Sequence, residues 1–189
     1  SDDEKRYSDL VSTPIFDKNL GNYILQKTKR LYVHNAKISP ADFIRDYIAH
    51  GSSISDSQLK SLNTEMKDSI IESGYQFNLV TFEFLTETQK RRVAMLRFNS
   101  MDIQSYLDFY IFKYLPIDIQ QDYIRKKIVL GYGLDNQFYT YMTEDQILEY
   151  AIIRANKEQS LSDELFEILP NDLKSKYLVN LIKSGRFAS

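Results

Sequence analysis

Apolar residues along the chain recur in short clusters that end in the same kind of polar stretch. In each cluster an apolar residue is followed by Thr or Pro and then by acidic or amide residues. The residues that mark the four clusters are Leu85, Leu115, Met142 and Leu169, which lie 30, 27 and 27 residues apart. A period of this size is typical of repeat proteins, in which each unit buries its apolar face against a neighbour. The pattern extends over residues 54–187.

Within each unit the spacing predicts one short helix followed by a longer one. Three clusters place apolar residues at i, i+1 and i+4, which is one face of a short helix. They are Ile111-Phe112-x-x-Leu115, Phe138-Tyr139-x-x-Met142 and Leu165-Phe166-x-x-Leu169. The longer segment after each cluster again carries its apolar residues on one side. We therefore predict an all-α fold, an array of short two-helix repeats with a period of 27 to 30 residues.

Signals at the expected helix ends agree with this prediction. Thr86 with Gln89, and Thr143 with Gln146, have the spacing of capping boxes at helix starts. Three glycines follow the last periodic residue of a helix, where a left-handed C-cap is common. These glycines are Gly74, Gly131 and Gly185. The predicted helices therefore have both starts and ends.

The first part of the chain does not follow the period. Residues 1–37 carry no copy of it, and Lys18–Leu31 has the apolar spacing of a single helix. We predict an N-terminal helical cap over residues 1–37 and a helical repeat array over residues 38–189, forming one compact domain. Residues 39–48 resemble a degenerate copy, because Pro40, Asp42 and Tyr47 keep the order seen in later units.

The composition narrows the class of protein. With 43% hydrophobic and 13% aromatic residues, the 189-residue chain can bury a sizeable core. The absence of cysteine excludes disulfides and thiolate metal sites and favours a cytoplasmic protein. The chain has no long apolar run, so we expect no membrane span. A net charge of -2 argues against a dedicated polyanion-binding protein.

Few residues are suited to catalysis. The chain has two histidines, His34 and His50, and neither lies in a recognisable catalytic motif. Four carboxylates recur at equivalent positions, where the dipole of a helix start accounts for them without a metal ion. They are Asp42, Asp118, Asp145 and Asp172. We therefore expect no enzymatic activity, no cofactor, no metal ion and no small-molecule substrate.

Basic residues recur at one position of successive units. Arg97, Lys127 and Arg154 occupy equivalent places, so they predict a basic ladder on one face. Neighbouring cations that would reinforce this ladder are Arg91, Arg92, Arg125 and Lys126. Such a ladder could follow a phosphate backbone. Cations near helix ends also complement the helix dipole, so an ordinary solvated face is the alternative.

The aromatic residues are densest in the unit where the period lengthens by three residues. An insertion into a repeat array often lies on its binding face, and exposed aromatic residues often anchor interfaces. The protein-binding candidates are Tyr106, Tyr110, Tyr132, Phe138 and Tyr141. The extra residues also predict a longer helix or a bulge at that point.

The segment LSDELFEILPNDLKSKY, residues 161–177, resembles tandem two-helix repeats of uncharacterised proteins of tailed bacteriophages. The resemblance implies an all-helical array of viral origin, located in the host cytoplasm or in a virion. It supplies no activity and no functional residues. Together these patterns favour a non-enzymatic module that binds another protein, either a host factor or a virion component. Nucleic-acid binding through the basic ladder is the alternative function.

Overall fold

A computed structural model of the chain describes residues 54–185 together with Asp42, which is helical. The described residues form helices and contain no strand, so the predicted all-α class is confirmed. The chain divides into two compact units, Ser1–Met95 and Leu96–Ser189. The predicted cap over residues 1–37, its helix at Lys18–Leu31 and the rest of the degenerate copy at 39–48 lie outside the described residues.

Short and long helices alternate along most of the described chain. The helices are α1 (Asp56–Ser61), α2 (Thr64–Glu72), α3 (Leu79–Phe82), α4 (Glu87–Ser100), α5 (Phe109–Phe112), α6 (Ile117–Leu130), α7 (Glu144–Asn156), α8 (Asp163–Glu167) and α9 (Asn171–Lys183). A 3₁₀ helix, Asn136–Tyr141, lies between α6 and α7. No helix within residues 54–185 has both the length and the apolar character needed to cross a membrane.

The first unit is held together by an apolar core and by a buried amide. Leu59, Met66 and Phe82 are fully buried, which brings α1, α2 and α3 around one core. The buried side chain of Gln89 in α4 donates from Nε2 to the Thr64 carbonyl oxygen at 3.0 Å and to Asp68 Oδ1 at 2.8 Å. Because both acceptors belong to α2, this amide ties α4 to α2.

The predicted helix starts are confirmed at two sites. Gln89 N donates to Thr86 Oγ1 at 3.2 Å, while Thr86 N donates to Gln89 Oε1 at 3.0 Å. The same reciprocal pair forms between Thr143 and Gln146 at the start of α7. Each box satisfies backbone donors that the first helical turn leaves without partners.

The predicted helix ends are also confirmed. The three glycines adopt left-handed backbone, with φ of 82° at Gly74, 68° at Gly131 and 66° at Gly185. Glu158 has a φ of 58° and lies 27 residues after Gly131 and 27 before Gly185. A left-handed residue therefore follows α6, α7 and α9 at a spacing of 27 residues, although one of these positions lacks the glycine that this backbone favours.

The short elements are briefer than the sequence pattern predicts. Leu115, Met142 and Leu169, predicted at the ends of the short helices, lie beyond them. The element at Asn136–Tyr141 is a 3₁₀ helix. The three extra residues do not lengthen a helix, since α5 has four residues; they enlarge the connection at residues 101–108 between α4 and α5. The loop accommodates the three inserted residues, so the helices beside it need not change their packing.

An aromatic cluster forms the core of the second unit. The Phe138 ring lies 4.8 Å from the Phe112 ring and 5.9 Å from the Tyr123 ring, measured between centroids. All three side chains are buried. Phe138 thus packs the 3₁₀ helix against α5 and α6, and the edge-to-face arrangement with Phe112 is one that aromatic pairs favour.

Candidate binding cleft

In the second unit each long helix is preceded by a short helix, and a loop leads into that short helix. A tyrosine of the long helix forms a hydrogen bond with this loop. The Tyr150 hydroxyl accepts from Leu134 N at 2.8 Å and donates to the Tyr132 carbonyl oxygen at 2.6 Å. The Tyr177 hydroxyl accepts from Leu161 N at 3.0 Å. Tyr123 is bonded in the same way by the backbone of Leu107. The three tyrosines lie 27 residues apart, as do the three leucines.

We call this recurring bond the tyrosine clasp: the hydroxyl of Tyr123, Tyr150 or Tyr177 with the backbone of Leu107, Leu134 or Leu161. Burial raises the pKa of Tyr123 and of Tyr150 to about 12. The two hydroxyls therefore keep their protons into the alkaline range and can donate hydrogen bonds there as at neutral pH. A buried hydroxyl that meets backbone groups of a loop restricts that loop to one conformation.

Two buried cations reinforce the clasp. Lys127 follows Tyr123 by four residues, and Arg154 follows Tyr150 by four residues, so each pair shares a helix face. Lys127 Nζ donates to the Ser105 carbonyl oxygen at 3.0 Å, and the residue is 1% exposed. Burial lowers the pKa of the Lys127 ammonium from its ordinary 10.5, and nearby Asp102 opposes this shift.

Arg154 connects two successive loops. Its Nη1 donates to the Gly131 carbonyl oxygen at 2.8 Å, before the 3₁₀ helix. Its Nε and Nη2 donate to the Ser160 carbonyl oxygen, before α8, at 3.1 and 2.8 Å. Arg154 is 9% exposed, and within the described residues neither it nor Lys127 has a carboxylate within ion-pair distance. Backbone carbonyl dipoles therefore take the place of counter-ions.

These positions correct the predicted basic ladder. Lys127 and Arg154 are interior residues, so the prediction that they stand on a positive surface is wrong. Arg97 is half-buried, whereas Arg91 and Arg125 are exposed. The two remaining cations form exposed ion pairs, Arg92 with Glu72 at 3.0 Å and Lys126 with Asp122 at 2.8 Å. The residues predicted to form one phosphate-binding face therefore lie in different environments, some in the interior and others on the surface.

The loops held by the clasp border a cleft of about 460 Å³. Its walls combine the two buried cations with hydroxyl, amide and carboxylate groups. The lining residues are Gln104, Tyr106, Lys127, Gly133, Leu134, Asp135, Tyr139, Tyr150, Arg154, Ser160, Ser162 and Leu165. They include residues of all three loops that precede the short elements of this unit, together with residues of the helices beside them. The cleft therefore follows the loop edge of three successive helix pairs.

Hydrogen bonds link neighbouring loops at the rim of the cleft. The Tyr106 hydroxyl donates to Asp135 Oδ2, and Gln104 Nε2 donates to the Tyr132 hydroxyl at 3.1 Å. The bond to Asp135 raises the pKa of Tyr106 to about 12, with burial as a smaller cause. Tyr106 therefore stays a neutral donor, and Asp135 gains a fixed partner.

The aromatic candidates differ in their exposure. Tyr106 is exposed and lines the cleft. Tyr132 is half-buried, and its hydroxyl accepts a hydrogen bond from Gln104, which also lines the cleft. Tyr110 is half-buried. Tyr141 is exposed, but its ring packs on Phe112 with centroids 5.2 Å apart. Phe138 is fully buried in the core, so its prediction as a protein contact is wrong.

Several lining residues were missed by the sequence patterns. Asp135, Ser160 and Ser162 lie in loops that carry no apolar periodicity. The available signal is the spacing itself, because Asp135 and Ser162 lie 27 residues apart beside the clasped leucines. His34 and His50 lie outside the described residues.

The described residues offer no metal centre, since no group of three or more His, Cys, Asp or Glu side chains within 54–185 is placed to hold an ion. The recurring Asp118, Asp145 and Asp172 each lie in the first turn of a different helix, as predicted. No protein-family model, curated protein or solved structure matches the chain.

Proposed function

We propose that the chain is a non-enzymatic array of two-helix repeats that binds an extended segment of a partner protein along the cleft. The observation that carries this proposal is the convergence of three loops, 27 residues apart in sequence, on one cleft. A segment lying across these loops would meet equivalent positions of successive helix pairs. Repeat arrays bind extended partners in this way.

Rigid loops favour such binding. Association costs free energy when loops must become ordered, and a surface that is already fixed avoids part of this cost. Here the loops are held by the clasps of Tyr150 and Tyr177 and by the hydrogen bonds of Arg154. The longer connection at residues 101–108 is held by Lys127 through Ser105.

The chemistry of the walls suits a polypeptide backbone. Tyr106, Ser160 and Ser162 supply hydroxyl groups, and Gln104 supplies an amide. Hydroxyl and amide groups can both donate to and accept from the N–H and C=O groups of an extended segment. A volume of about 460 Å³ lies within the range of roughly 300–1,000 Å³ found for ligand sites.

Affinity capture from a nuclease-treated lysate of the cells that make the protein tests the proposal. Asp135→Arg removes the acceptor of Tyr106 and places a long cation at the cleft. The matched control, Asp118→Arg, makes the same change on an exposed first turn outside the cleft. We expect one protein captured in fixed ratio by wild type and control but lost from Asp135→Arg.

Retention of the partner by Asp135→Arg would contradict the role of the cleft. Capture that disappears with nuclease would instead favour the nucleic-acid alternative, which the burial of Lys127 and Arg154 weakens. The resemblance to phage repeats makes a host factor or a virion component the expected partner, in the cytoplasm of an infected cell or in a particle. The identity of the captured protein distinguishes these settings.

A further inference from the structure

Equivalent positions of the long helices differ sharply in their exposure. Ile124 and Ile128 of α6 are buried, and so are Ala151 and Ala155, which lie 27 residues later in α7. The next positions in this series are Leu178 and Ile182 of α9. Leu178 is 38% exposed and Ile182 is 66% exposed, whereas Ile128 is 2% exposed. The same face is thus covered on two helices and open on the third.

The structure shows what covers the first of these faces. α7 packs against α6, and Lys157 Nζ at the end of α7 donates to the Leu130 carbonyl oxygen at 2.6 Å. The approach is close, because a Cβ at Gly131 would stand 3.2 Å from Ile153 Cγ2. α8 and α9 pack against α7 in turn. A helix with an apolar side therefore covers each face, and within residues 54–185 no helix covers that of α9.

We propose that a second copy of the chain covers the open face of α9, with the two α9 helices antiparallel. Leu178, Val179 and Ile182 form the contact face, and all three are exposed. Around the helix Ile182 lies between Leu178 and Val179, so the three side chains form one apolar stripe, which we call the α9 face. A twofold interface lets each copy bury the same residues of the other. The proposal does not depend on the cleft, which lies at the loop edge.

The charges along α9 fit an antiparallel arrangement. Asp172 lies in the first turn of α9 and Lys183 in the last turn. Their midpoint falls between Tyr177 and Leu178, so a twofold axis at that point brings Asp172 of each copy level with Lys183 of the other. The same alignment places Lys176 level with Val179 rather than with a lysine. Opposite charges thus meet at both edges, and the helix dipoles oppose each other favourably.

Sedimentation equilibrium over a wide concentration range tests this proposal. The wild-type mass should rise from 22.2 kDa toward twice that value as concentration increases. Ile182→Glu places a charge in the contact face and should raise the dissociation constant about tenfold or more. Ile117→Glu is the matched control, because Ile117 is 71% exposed on α6, outside the α9 face. It should leave the dissociation constant unchanged.

A charge exchange tests the antiparallel alignment. Asp172→Lys and Lys183→Asp should each weaken association, and the double variant should restore it. Circular dichroism of each variant confirms that the helices are retained. A mass of 22.2 kDa at every concentration would overturn the proposal, as would equal effects of Ile182→Glu and Ile117→Glu. A monomer that uses the α9 face to capture a different protein would also overturn it.

Discussion

Two helix pairs of the second unit have the same internal bond but different surroundings. In the pair formed by the 3₁₀ helix and α7, Tyr150 binds the backbone of Leu134; in the pair formed by α8 and α9, Tyr177 binds that of Leu161. Ala151 and Ala155 of α7 are buried, whereas the equivalent Leu178 and Ile182 of the α9 face are exposed. The recurring sequence therefore specifies the bonds within a pair, and the neighbouring element decides which faces are covered.

The two pairs also differ at the position of the buried cation. Arg154 of α7 corresponds to Leu181 of α9, which is half-buried and cannot donate to a loop carbonyl. The tyrosine clasp is the contact that both pairs retain. The clasp thus occurs in all three helix pairs of the second unit, whereas the buried cation occurs only in the first two of them, as Lys127 and Arg154.

The largest expected difference concerns the equivalent isoleucines. Ile128→Ala should lower the free energy of unfolding by about 2–4 kcal/mol, because it leaves a cavity in a packed interior. Ile182→Ala should change it by less than about 0.5 kcal/mol in the monomer, since the side chain is already solvated. Urea unfolding at concentrations where the protein is monomeric measures both values. Equal losses of unfolding free energy in the two variants would contradict the conclusion that Ile128 is covered and Ile182 is not.

The clasps should differ in strength. Tyr150→Phe removes two hydrogen bonds, to Leu134 N and to the Tyr132 carbonyl, and should destabilise the fold by about 2 kcal/mol. Tyr177→Phe removes the bond to Leu161 N and should cost about 1 kcal/mol. Thermal and urea unfolding of the two variants test this order. A larger loss for Tyr177→Phe would show that the clasp of α9 is the more important one.

The left-handed position offers a stabilising substitution. Glu158→Gly should raise the free energy of unfolding by about 0.5–1 kcal/mol, because φ at Glu158 is 58°. Gly185→Ala tests the same backbone in the opposite direction, with no atom within 4 Å of the added Cβ. It should destabilise by a similar amount. Destabilisation by Glu158→Gly would mean that contacts of the glutamate side chain outweigh its backbone strain.

The smallest expected effect is a pH dependence at Lys127. Because the folded-state pKa is lowered from 10.5, the unfolded chain binds more protons as pH rises from the folded value toward 10.5. Wild type should therefore gain stability relative to Lys127→Met across that window. The buried tyrosines, with pKa raised to about 12, act oppositely above pH 10 but equally in both proteins. Measuring the unfolding free energies of wild type and Lys127→Met at several pH values tests this prediction. A difference between the two proteins that stays constant with pH would contradict it.

Features that depend on neighbouring residues could be predicted from the sequence. The capping boxes at Thr86 and Thr143 and the left-handed caps at Gly74, Gly131 and Gly185 involve groups within one or two helical turns. Their chemistry is local, so residue type and spacing suffice. The helical class follows for the same reason.

Features that depend on distant residues could not be predicted. The sequence places Lys127 and Arg154 at equivalent positions but does not say that their charged groups turn toward loop carbonyls. A cation four residues after a buried tyrosine shares that tyrosine's helix face, and this spacing was the available signal. The bond between Tyr106 and Asp135 joins residues 29 apart through two irregular loops, where no periodicity operates.

The central claim is that two positions buried on α6, Ile124 and Ile128, become part of an interface on α9, as Leu178 and Ile182. Methyl NMR of isoleucine-labelled protein over a dilution series tests it most directly, because Ile128 and Ile182 report from equivalent positions of the two helices. We expect the Ile182 methyl resonances to move with protein concentration while those of Ile128 stay constant. Ile182 resonances that do not change at any concentration would contradict the account.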